Sequence, residues 1–307
     1  KTGSLGRQLS PEQNALVSGC VALLTVGAVQ LWNISAAREP VFRADATSAL
    51  AALGGCFHFA AYLSTLCAFG TASSTVITPL MQLSAVWMLP FSTLAAALGY
   101  ATIIRPAHLL SVALICTGGF LPAAGGSLSL LLSRGFWQQR AVRYVALGEF
   151  LICCYNVLLH QATFNGIAAE VSTDPGIGNI APQGDSLRFF LISRVANGMM
   201  CLCLFLVVPS LRKHALAMRD VGFRFFTISL FGECLSMLGV FLVTFSYASF
   251  YEPSVVNAVE GGLQQLFNLL FAILSYRFLG WGKEVDRVSV KLFSFALVTT
   301  GLTLSTA

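Results

Sequence analysis

Three glutamates, Glu149, Glu233 and Glu260, stand inside long apolar runs. A carboxylate in such surroundings needs a partner, a proton or a ligand, because an isolated charge is costly away from water. At 100° per residue, Asn257, Glu260, Gln264 and Asn268 share an arc of about 80° on a helix, and Glu149, Asn156 and His160 share one of about 40°, with Cys153 beside them. Glu233 has Ser236 one turn on and Thr244 further along its face, and Gln82 joins Thr71, Thr75 and Thr78 in a neutral stripe. The cation in a comparable setting is Arg194, with Asn197 and Cys201 on its face. It either snorkels to the surface or pairs with a glutamate. His58 stands isolated and reads as a packing residue. Three carboxylates against one guanidinium leave a balance of minus two if all are ionised, which suits a cationic or zwitterionic solute, or one exchanged for protons. A phosphorylated ligand calls for several Arg or Lys, and one is present.

The elements that hold these residues follow from composition. Of 307 residues, 56% are hydrophobic and 10% charged, against about 25% charged in an average soluble domain. The mean hydropathy is +0.77. Nine apolar runs of membrane-crossing length separate short charged connectors: Ala15 to Ile34, Ala46 to Phe69, Ser73 to Leu98, Ala107 to Ala124, Tyr144 to Phe164, Leu187 to Val208, Phe225 to Phe245, Pro253 to Phe278 and Val288 to Thr303. Inside lipid every backbone N–H and C=O must be satisfied within the segment, so the runs are expected to be helices and the fold all-α, a polytopic transmembrane bundle. The stretch from Gly166 to Asp185 reads as a Pro/Gly linker. All nine cysteines fall within the runs and read as small packing residues.

An ungapped offset of 183 residues aligns the chain with itself. It pairs Val76 with Val259, Leu80 with Leu263, Gln82 with Gln265, Ser111 with Ser294, Thr117 with Thr300 and Gly118 with Gly301 among 13 identities in the 46 positions from 76 to 121. The second copy, 144–307, has five runs. The first, 1–125, has four, with 126–143 as connector, and the missing partner of Tyr144 to Phe164 is expected before residue 1. An odd number of spans per copy inverts one copy relative to the other, the arrangement of many secondary transporters. Two five-helix copies, the entry TFSYASFYEPSVVNAVE and the close FLGWGKEVDRVSVKLFSFALVTTGLTL resemble the drug/metabolite transporter superfamily, in particular its EamA-like branch. That resemblance implies an exporter or exchanger of small metabolites.

The sequence holds neither a Walker A loop nor HExxH, and no Ser/His/Asp or Cys/His set at catalytic spacing stands out, so an enzyme, an ATP-driven pump and a cofactor are not expected. The +5 net charge is scattered over connectors and does not form the stripe that nucleic acid requires. The expected partners are the lipid bilayer, a small-molecule solute and protons, and a homodimer is compatible with such a chain. The expected function is a secondary carrier working by alternating access, with Glu260, Gln264, Asn257, Asn268, Glu149, Asn156, His160, Glu233, Gln82 and Arg194 around the solute. An organic-anion exchanger of the same superfamily, for nucleotide sugars or sugar phosphates, and a non-transporting receptor or scaffold stand as alternatives.

Overall fold

The computed structural model describes residues 9–35, 45–72, 106–123, 133–171, 183–249 and 288–305, with Phe42, Ser129 and a subset of positions between 77 and 91 and between 260 and 278. The described residues are helical apart from short turns and connectors. The elements are α1 (Pro11–Ser35), α2 (Ala46–Phe69), α3 (Pro106–Ala123), α4 (Arg134–Gln138), α5 (Arg140–Val171), α6 (Gln183–Val207), α7 (Pro209–Leu216), a 3-10 turn at Ala217–Asp220, α8 (Phe223–Ser249) and α9 (Val288–Ser305). Most described positions between 77 and 91, and all those between 260 and 278, are helical as well.

Among the described residues, five helices are long and apolar enough to cross a membrane: Pro11–Asn33, Ala46–Phe69, Arg140–Ala162, Ser186–Val207 and Phe223–Ser246. Their exposure is the reverse of a soluble protein's. Leu24, Leu31, Leu206, Val207, Phe223 and Phe231 are largely exposed, while Ser193, Arg194, Asn197 and Asn156 are buried. Apolar side chains outside and polar ones inside fit a lipid solvent. The chain is an all-α, multi-pass integral membrane protein.

Two helices overrun the expected linker. α5 continues to Val171, through Gly166-Ile-Ala-Ala-Glu-Val, and α6 begins at Gln183. The reason is local: Ala and Glu are good helix formers, and no proline occurs before Pro175. The 126–143 connector likewise contains α4 and the start of α5. Ser133 caps α4, its Oγ accepting from the Phe136 N–H at 3.3 Å.

The structure divides into two compact units, each assembled from two stretches of chain: Lys1–Leu66 with Cys154–Tyr251, and Cys67–Cys153 with Glu252–Ala307. In the first unit, α2 meets α6 closely at Gly55, where an added Cβ would lie 2.1 Å from the Ser193 carbonyl oxygen. Its apolar core includes Ala15, Phe59, Cys201 and Phe205.

In the second unit, Phe136 anchors α4 among Ala68, Ile77, Leu80, Val142 and Val145. There α3 packs along α9 in a reciprocal way. The Ser111 hydroxyl donates to the Gly301 carbonyl at 2.5 Å, and the Ser294 hydroxyl donates to the Gly118 carbonyl. A Cβ on Gly118 would lie 2.7 Å from Ser294 O, and one on Gly301 would lie 2.7 Å from Ser111 O. The early residue of each helix therefore meets the late residue of the other, so the pair runs antiparallel, and the glycines let the backbones approach closely enough for the serines to reach them.

Candidate functional site

Arg194 lies in the middle of α6 and is wholly buried. Neither course expected of it is taken: it does not reach the surface, and it makes no ion pair with a glutamate among the described residues. Residues on both sides of it, Leu191 to Ser193 and Asn197, are themselves buried, so the position is too deep for snorkelling. Its Nη1 lies 3.3 Å from His58 Nδ1 on α2, and Asn197 Nδ2 approaches the same nitrogen at 3.1 Å. Arginine can only donate, so His58 Nδ1 is the accepting nitrogen. The guanidinium carbon stands 5.9 Å from the Tyr155 ring centroid and 5.8 Å from that of Phe190, close enough for cation–π attraction. Arg194 Nε and Nη2 and Asn197 Oδ1 are buried without a hydrogen-bond partner among the described residues.

His58 is therefore not an isolated packing residue. Its ring accepts from two donors on α6 and stands edge-on to Tyr155 at 5.1 Å between centroids. The missed signal was His58 with Tyr62, an i, i+4 pair that shares one helix face.

Tyr62 belongs to the second charged group of the same unit. Glu233, on α8, is 5% exposed. Its Oε1 accepts from the Tyr62 hydroxyl and from Asn14 Nδ2 at 3.4 Å. Asn14 Oδ1 in turn accepts from the Ser229 hydroxyl. Of the companions expected for Glu233, Ser236 is exposed, and Thr244 returns its hydroxyl to the Val240 carbonyl at 2.8 Å. Neither serves the carboxylate. His58 and Tyr62 lie one turn apart on one face of α2, so this helix supplies a hydrogen-bonding partner to each of the two charged residues. Each charge is surrounded by neutral hydrogen-bonding partners.

The second unit carries Glu149 and Glu260. Glu149 is 3% exposed, is hydrogen-bonded by Ser84 and feels the charge of Glu260. Glu260 is exposed on the chain surface. Gln264, one turn on, is exposed too, and its Nε2 donates to Met81 Sδ at 3.9 Å. Asn257, Asn268 and Gln82 lie outside the described residues. The Glu149, Asn156 and His160 stripe is divided, because α5 passes from one unit to the other between Cys153 and Cys154. Asn156 is buried and His160 half-buried, both in the first unit. None of the nine cysteines is in a disulfide, and among the described residues no group of three or more His, Cys, Asp or Glu is placed to hold a metal ion.

No family model and no curated protein matches the chain. Six chains of known structure do match it. One, whose description reads only "Crystal structure of protein", aligns over 99% of this chain and 91% of its own, with a TM-score of 0.55 and 14% identity. At that identity the likeness is one of fold alone.

Proposed function

We propose that the chain is a secondary membrane carrier that moves a small zwitterionic or cationic metabolite by alternating access. The observation that carries this reading is the pair of buried charges in the first unit. Arg194 and Glu233 have opposite formal signs and bond to His58 and Tyr62, one turn apart on α2, yet neither makes an ion pair among the described residues. A purely structural interior would pair or replace such charges, since burying one uncompensated costs several kcal/mol. A carrier keeps them because its solute supplies the counter-charges.

Three further features support the reading. The 183-residue offset, which equates Ser111 with Ser294 and Gly118 with Gly301, carries the bond from Ser111 to Gly301 onto the bond from Ser294 to Gly118. Met81 and Gln264, also in contact, are equated by the same offset. An antiparallel contact of that kind is what a two-fold axis across the helices produces, as expected for inverted five-helix copies with nine spans in this chain, on the plan of the drug/metabolite transporter superfamily and its EamA-like branch. Glu149 and Glu260, two carboxylates of the second unit placed inside apolar runs, fit a proton-coupling role. A second reading, exchange of organic anions, is favoured by Arg194 alone, and its single guanidinium argues against phosphorylated solutes.

The test is uptake into proteoliposomes under an imposed pH gradient, with a panel of amines, amino acids and organic phosphates. Flux of amines or amino acids that falls at least tenfold in Glu260→Gln, with folding unchanged, is the expected result. No flux of any solute in the wild type would leave a receptor or scaffold. Equal flux in wild type and Glu260→Gln would return that glutamate to a passive role.

A further inference from the structure

We infer that Arg194, Asn197 and His58 form a carboxylate-binding subsite, so that the solute is an amino-carboxylate and not a simple amine. The inference rests on the carrier reading but is carried by a different observation, the division of labour among the guanidinium nitrogens. Nη1 faces His58 Nδ1 at 3.3 Å. Nε and Nη2, the two nitrogens on the side edge of the fork, are buried with no hydrogen bond of ordinary geometry among the described residues, and the polar group that acts on the guanidinium there is the buried Tyr155 hydroxyl. That edge presents two parallel N–H groups at the spacing of carboxylate oxygens, and bidentate pairing is the geometry that arginine favours.

The rest of the cluster fixes the edge and completes the recognition. Tyr155 and Phe190 flank the guanidinium, and His58 holds its far corner, so the fork is preorganised and little rotamer freedom remains to be lost on binding. Asn197, one turn along α6, donates through Nδ2 to His58 at 3.1 Å and leaves Oδ1 without a hydrogen-bond partner among the described residues. Two donors and an adjacent acceptor are the complement of a carboxylate with an ammonium next to it. A lone amine would satisfy Asn197 Oδ1 and leave Arg194 buried and uncompensated. A phosphate would find one cation where it needs several.

The experiment uses alanine, lysine and phenylalanine against the amines that lack their carboxylate: ethylamine, cadaverine and phenethylamine. Binding is read as the rise in unfolding temperature of the detergent-solubilised protein, and transport as proteoliposome counterflow. At least one amino acid is expected to bind and its amine partner not to. Arg194→Gln is expected to weaken that binding on the order of 10- to 100-fold, while unfolding at or above the wild-type temperature because a buried unpaired charge has been removed. Arg194→Lys, which keeps the charge without the fork, is expected to weaken it as well. Should Arg194→Gln fail to fold, a wild-type response in Arg194→Lys overturns the inference. Amines that bind and move as well as the amino acids, with Arg194→Gln unaffected, overturn it while leaving the carrier reading intact. Amino-acid binding without flux leaves the subsite standing and removes the carrier.

Discussion

The α3/α9 seam and the Arg194/Glu233 face are both polar interiors in an apolar chain, and they treat their polar groups in opposite ways. In the seam, Ser111 and Ser294 each spend their hydroxyl on a backbone carbonyl of the facing helix, at the glycine that makes the approach possible. Nothing there asks for a ligand. On the Arg194/Glu233 face, formal charges are oriented by neutral side chains from other helices, and Arg194 keeps two donors unspent. A bilayer interior makes both arrangements expensive to build by accident. The first returns its cost as helix association; the second leaves donors unspent, as the proposed carrier reading would require.

The largest effect that separates the two regions is steric. Gly118→Ala would put a Cβ 2.7 Å from Ser294 O and 2.8 Å from Val298 Cγ2, and Gly301→Ala would repeat this against Ser111 O and Ile115 Cγ1. Each is expected to cost about 1–3 kcal/mol, and the two values should agree because the contacts mirror each other. Gly239, on α8, has nothing within 4 Å of its would-be Cβ, so Gly239→Ala should be neutral or stabilising by up to about 1 kcal/mol. Unfolding in mixed micelles measures all three. A seam indifferent to Gly118→Ala would erase the contrast.

Much of the fold was legible in the sequence because membrane helices are dictated by length and composition. The run from Ala46 to Phe69 matches α2 at both ends: Asp45 caps it, and Gly70 follows it. Connectors were harder, since Gly166 to Val171 joins α5 through helix-forming residues, although glycine and the prolines beyond suggest a loop. Within the candidate site, the polar stripes pointed to Glu149 and Glu233, and both are buried, whereas Arg194, expected to snorkel or to pair with a glutamate, is buried against His58 and Asn197. Periodicity speaks only about faces of one helix. It had no means of pairing His58 with Arg194 across 136 positions, or Tyr62 and Asn14 with Glu233. The 183-residue offset singled out Ser111 and Gly118, and their helix is indeed one side of the seam, but which helix would face it was not written in the alignment.

A smaller effect sharpens the comparison. Ser111→Ala and Ser294→Ala each remove one interhelical hydrogen bond, for which values near 0.6 kcal/mol are typical in membranes. Ser294→Ala should be the costlier of the two, because the Gly118 carbonyl it leaves behind lies four residues before Pro122, which has no N–H to take it up within the helix. Glu233→Gln, which keeps hydrogen-bonding capacity toward Tyr62 and Asn14, should likewise change stability little, yet lower solute flux at least tenfold. Serine variants that spare flux, beside a Glu233→Gln variant that spares only stability, would fix the two regions as structural and functional. The reverse pattern would exchange their roles.

The smallest effect belongs to a charge pair that faces water. Asp45 caps α2, its Oδ1 accepting from the Ser48 N–H at 2.8 Å, and its other oxygen accepts from Arg188, which also donates to Ser48 Oγ at 2.9 Å. The Arg188 hydrogen bond, helped by the Ser48 N–H, lowers the Asp45 carboxyl from its ordinary 3.8 to about 2. A depressed carboxylate stabilises the fold fully above its unfolded value and loses that contribution as it is protonated, so the pair's share should fade between about pH 4 and pH 2. Asp45 is 41% exposed, and solvent screening holds the ion pair below about 1 kcal/mol. Asparagine caps a helix about as well as aspartate, whereas alanine loses about 1 kcal/mol. Asp45→Asn should therefore sit a few tenths of a kcal/mol below wild type at pH 7 and converge with it as the pH falls toward 2, while Asp45→Ala stays lower at both. Thermal unfolding at pH 7 and pH 3 separates the terms. If Asp45→Asn and Asp45→Ala were equally destabilised at pH 7, the charge pair and not the cap would be what Asp45 contributes, and a water-facing pair would then have been as consequential as a hydrogen bond in the seam.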